Sequence, residues 1–75
     1  MKSEDIRRVI LEELSVQAHT RMSLWVAVKE KLPDGWRWET FKRWHSKMNA
    51  EKLLGSTMAG GVTITEEGKD WLKRV

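Results

Sequence analysis

The sequence predicts a mainly helical α+β domain, with three helices, one small β-hairpin and a short final helix. Three observations carry this. Apolar residues recur at helical spacing in three separate segments before position 50. The period then changes to alternation on either side of Gly60-Gly61. Finally, a threonine followed by two acids opens a last segment that closes on bases, the order a helix dipole favours. A chain of 75 residues has room for one domain, residues 1–75, and one core.

The first helix is expected to use Ser3 as its N-cap, with Glu4 and Asp5 in the first turn. Ile6, Val9, Ile10 and Leu14 form its apolar face, and the pattern loosens at Gln17 to Thr20. Ser23 is the expected cap of a second helix from Leu24 to about Leu32. Its stripe is Leu24, Val28 and Leu32, widened by Trp25 or Ala27. Pro33 disfavours helical geometry at Leu32, and Pro33-Asp34-Gly35 reads as a turn.

The third helix should begin within Trp36 to Glu39 and end near Ala50. Phe41, Trp44, His45 and Met48 mark its buried side. Glu39, Arg43, Ser46 and Ala50 point the opposite way, flanked by Thr40, Lys42 and Lys47. Two helices joined by a short turn, the second carrying bases outward, make a helix-turn-helix arrangement. Beyond it, Leu54, Ser56 and Met58 should share one face of a strand, Ala59-Gly60-Gly61 should turn, and Val62-Thr63-Ile64 should return. Thr65 is the expected cap of a last helix, Glu66 to Arg74, with Trp71, Leu72 and Val75 as its apolar contacts.

The stretch Leu53-Leu54-Gly55 and the run Val62-Thr63-Ile64-Thr65-Glu66-Glu67-Gly68-Lys69 resemble the end of many bacterial and archaeal winged-helix transcription regulators. In those families a leucine pair ends the recognition helix. A hairpin follows, then an apolar-x-apolar-Thr-x-x-Gly run into a helix. The resemblance spans residues 21–75 in order of elements and is residue by residue only in the last stretch. It implies a winged helix-turn-helix fold, a three-helix core plus wing and short C-terminal helix, and DNA binding as a small regulator or phage- or plasmid-type accessory factor. Gly68, in the first turn of a helix, costs about 1 kcal/mol relative to alanine. A closely approaching neighbour, not phosphate chemistry, is the expected reason.

Composition sets outer limits. The chain is 40% hydrophobic and 33% charged, as in a folded domain. It has no cysteine, so disulfides cannot support its small core, and five tryptophans supply apolar area in their place. Acids at Glu4 and Asp5 replace the apolar start of a signal peptide, and the longest apolar run is only Leu24 to Val28. A soluble, cytoplasmic protein is the expectation. His19 and His45 have no metal-site spacing. No carboxylate pair, Ser/His/Asp set or glycine-rich phosphate loop can be assembled, so neither an enzyme nor a cofactor is expected.

The net charge of +3 is unevenly placed. Residues 36–55 hold Arg37, Lys42, Arg43, Lys47 and Lys52 against only Glu39 and Glu51. This segment is the candidate surface for double-stranded DNA. Arg43, central on the outward face, suits guanine, and Lys42 and Lys47 suit phosphates. Arg37, Thr40, Ser46 and Lys52 complete the candidate surface. Gly55 to Thr65 has no Arg or Lys, so the hairpin is expected to be structural. Only Ser56, Thr57 and the amides of Gly60 and Gly61 are left there to meet phosphate.

Trp44 and Trp71 are expected in the core, and Trp25 is ambiguous. Trp36 and Trp38 lie two apart and cannot easily both be buried, so either one stands exposed beside Arg37 or the two form a partly buried lid over a thin core. The exposed case gives an alternative function, a winged-helix protein-interaction module using an exposed Trp36/Trp38 surface. Pairing into a homodimer is open, because no helix is set aside for it.

Overall fold

The computed structural model describes residues 2–74. Four α-helices and one antiparallel hairpin follow in the order α1 (Ser3–Val16), α2 (Arg21–Val28), α3 (Trp38–Ala50), β1 (Leu54–Ser56), β2 (Val62–Ile64) and α4 (Glu66–Arg74). The fold is α+β, as expected. The expected contact of Val75 lies outside the described residues.

Two helix starts differ from expectation, each for a local hydrogen-bonding reason. The N-cap of α1 is Lys2, not Ser3, because the Asp5 carboxylate reaches back to accept from the Lys2 amide at 3.3 Å. The cap of α2 is Thr20, not Ser23. The Thr20 hydroxyl accepts from the Ser23 amide at 3.1 Å, so the helix begins three residues earlier than Leu24. Pro33 acts as expected in keeping Leu32 extended, but α2 stops short of Leu32, ending at Val28 and tightening into a 3-10 turn over Lys29–Lys31.

The core is a single cluster drawn from every element except α4: Ile6, Ile10, Leu11, Leu14, Leu24, Val28, Leu32, Phe41, Met48, Leu53, Leu54 and Val62. Leu11, absent from the expected face of α1, is fully buried. Phe41 anchors α3, with the Trp25 ring at 5.3 Å on one side and the Trp38 ring at 5.8 Å on the other. All five tryptophans are half-buried around this cluster. Trp44 and Trp71 therefore border the core and do not fill it, since an indole is too large for a core this thin. His45 is likewise half-buried.

The strands pair Leu54 with Ile64, Gly55 with Thr63 and Ser56 with Val62. The turn is longer than expected, because the Thr57 amide donates to the Gly61 carbonyl at 2.9 Å and closes a loop over 57–61. Met58 thus lies in the loop, fully exposed, and does not share a face with the buried Leu54. A third lane of pairing joins the hairpin from afar: His19, between α1 and α2, exchanges two backbone hydrogen bonds with Val62.

The junction into α4 is tied tightly. The Thr65 hydroxyl donates to the Lys52 carbonyl at 2.6 Å and accepts from the Gly68 amide at 3.0 Å. Gly68 has the expected close neighbour: a Cβ there would lie 2.6 Å from the Leu53 carbonyl oxygen and 2.8 Å from Cγ1 of Ile64.

Candidate nucleic-acid interface

Phe41 and Met48 face the core, which turns Glu39, Arg43, Ser46, Lys47 and Ala50 of α3 into solvent. Thr40 and Lys42 flank this face and are half-buried. Arg37 is the exposed N-cap of α3. Lys52 is exposed at the far end, where the chain takes a left-handed φ of 65° before entering β1. The residues named from the sequence therefore share one element, with Arg37 and Lys52 at its two ends.

Sequence reasoning missed Arg21. Because α2 starts at this residue, its side chain reaches α3, and Arg21, Glu39, Lys42, Arg43 and Ser46 line one open groove. Placing the cap at Ser23 leaves Arg21 in a loop, so the three-residue error in the helix start concealed it. His45 registers the same proximity. Its imidazole pKa is lowered by burial and, secondarily, by the Arg21 charge.

Two tryptophans order the cations along this face. The Trp38 ring has the Arg21 guanidinium at 5.5 Å and the Lys42 ammonium at 5.9 Å from its centroid. The Trp44 ring has Arg7 at 5.2 Å and Lys47 at 4.8 Å, and it stacks on Trp36 with centroids 6.2 Å apart. Such contacts restrain long basic side chains without neutralising them. Neither Trp36 nor Trp38 stands exposed, because each packs on an aromatic neighbour. The surface expected for protein recognition is therefore largely taken up in packing.

Three cations outside this face, Arg7, Arg8 and Lys69, lie within reach of acids. Arg7 is held by Glu51 in a two-pronged ion pair, with bonds of 3.0 and 2.7 Å. That pair pulls the Glu51 pKa below the ordinary carboxylate value. Arg8 and Lys69 also approach acids. Among the described residues, Arg21, Arg37, Lys42, Arg43, Lys47 and Lys52 form no ion pair.

The hairpin loop has less to offer an anion than its sequence suggests. The Gly61 amide donates to the Thr57 hydroxyl at 2.8 Å, and the Gly60 amide donates to the Thr57 carbonyl at 3.0 Å. Both amides named as phosphate donors are therefore engaged inside the loop, leaving Ser56 and the Thr57 hydroxyl proton. Among the described residues no group of three or more His, Asp or Glu is placed to hold a metal ion, and no helix is long and apolar enough to cross a membrane. Comparison of the chain with protein-family models, with curated proteins and with solved structures gives no match.

Proposed function

We propose that this chain is a winged helix-turn-helix module that binds double-stranded DNA through α3, as a small transcriptional regulator or accessory factor. The observation that carries the reading is the run of cations without ion pairs on and around one helix face, Arg21, Lys42, Arg43 and Lys47, the first three lining one groove in which Glu39 is the only acid. In the helix-turn-helix docking geometry α3 enters the major groove. Arg43, central and exposed, is then the residue that reads guanine through its paired N–H donors. Lys42, Lys47 and Arg21 flank it and neutralise phosphates, while Thr40 and Ser46 offer hydroxyls. Arg37 and Lys52 meet the backbone at the two ends of the helix.

The test is fluorescence anisotropy with a duplex at two salt concentrations. Four or five neutralised phosphates give a slope of about −4 in log K against log salt. Arg43→Glu and Lys47→Glu should each weaken binding by about tenfold or more. Absence of duplex binding at low salt, or tight binding indifferent to both substitutions, would overturn the reading.

A further inference from the structure

Glu39 is an acid on a surface of cations. It is exposed at the second position of α3, four residues before Arg43, and it lines one groove with Arg21, Lys42, Arg43 and Ser46. Three of those neighbours are cations, yet among the described residues Glu39 forms no ion pair with any of them. Its carboxylate oxygens are thus open to a ligand in the same groove. A carboxylate here repels phosphate and weakens the hold of the face on a polyanion. An acid in the first turn suits the helix dipole. That accounts for an acid in this turn but not for its place on the outward side.

We infer that Glu39 selects a cytosine, accepting a hydrogen bond from the cytosine 4-amino group while Arg43 reads a guanine nearby. The inference rests on the DNA-binding reading above and adds to it a base that α3 chooses. Chemistry narrows the choice. In the major groove guanine presents only acceptors, and adenine and thymine each present one, so all three set a lone pair against the carboxylate. Cytosine alone presents a donor and no acceptor. Position agrees, because the N-terminal residues of a recognition helix are the ones that contact base edges. Spacing then describes the site. Residues four apart share a helix face and lie about 6 Å apart along the axis. Two base-pair steps of about 3.4 Å each cover nearly the same length. The bound site therefore holds a cytosine and a guanine within about two base pairs of each other. The carboxylate rejects as well as selects, since any other base leaves it without a donor.

The experiment selects tight binders from a pool of randomised duplexes with the intact chain, then measures the recovered duplexes by fluorescence anisotropy. The recovered site should hold a cytosine and a guanine at this spacing, and replacing the cytosine should weaken binding by about tenfold or more. Glu39→Ala should bring that ratio close to one and keep the guanine preference. It should also bind random duplexes at least as well as the unaltered chain, because a negative charge has gone. Glu39→Gln, which sets a donor beside its acceptor, should move the preference from cytosine to adenine. A recovered site without cytosine, or a cytosine preference that survives Glu39→Ala, would overturn the assignment and leave the α3 reading standing. So would a uniform loss of affinity for every base in Glu39→Ala, which would make Glu39 a helix-end residue only. Failure of the unaltered chain to bind any duplex would instead overturn both.

Discussion

At position 68 there is no room for even one methyl group. The helical propensity gained by Gly68→Ala, about 1 kcal/mol, is opposed by a Cβ placed 2.6 Å from a backbone carbonyl oxygen that cannot swing away. The Leu53 carbonyl is also fixed by accepting the Thr65 amide at 3.2 Å, so relief would require moving the whole junction. Overpacking of this kind costs about 1–3 kcal/mol, so after the propensity gain urea denaturation of Gly68→Ala should show a net loss of up to about 2 kcal/mol. A variant as stable as the parent would mean that α4 shifts freely. This position was legible from sequence, because a glycine in the first turn of a helix asks for a reason. Arg21 was not legible, since its role depends on where α2 begins.

The elements are defined as much by their ends as by their apolar stripes. Thr65 ends β2, caps α4 and holds the turn after α3, because one hydroxyl both donates to Lys52 and accepts from Gly68. Thr65→Val keeps the shape and removes both bonds. The expected cost is about 1–2 kcal/mol, read as a lowered urea midpoint, and it should exceed that of Thr63→Val on the same hairpin. Amphipathic stripes were easy to read, which is why α3 falls where expected, from Trp38 to Ala50. The start of α2 was harder. Thr20 and Ser23 are both good caps, and the choice is made by His19, whose Nδ1 pairs with the Ser23 hydroxyl at 2.9 Å. His19 in turn is held by Glu13 and by Val62, contacts no local pattern reveals. The hairpin loop shows the same limit. Gly60-Gly61 announced a turn, but its span was set by Thr57, whose hydroxyl and backbone close the loop.

For the whole molecule, the Arg7–Glu51 pair fastens the first helix to the end of α3 across 44 positions of sequence. Glu51 has a lowered pKa when folded, so the unfolded chain takes up its proton first as pH falls. The stabilisation is therefore complete above the ordinary carboxylate range and is lost as pH drops through the lowered folded value. Water screens the pair, since the Glu51 side chain keeps 35% of its exposure, so its contribution at neutral pH should be about 1 kcal/mol. Thermal unfolding of Glu51→Gln should show that loss at neutral pH and a shallower decline into acid. An unchanged acid limb would assign the decline to other carboxylates. Single-sequence reading could not have found this pair, because an acid late in one helix and a base early in another meet only once the fold is complete.

The contact between His19 and Val62 has a mechanical consequence. Two three-residue strands alone make a floppy arm. Pinned on the far side of β2 by a residue from the α1–α2 corner, the hairpin is braced like a cantilever whose root is built into the first two helices. A load on its tip is thus borne by α1 and α2 as well as by the end of α3, and the reach of the hairpin is fixed before any partner arrives.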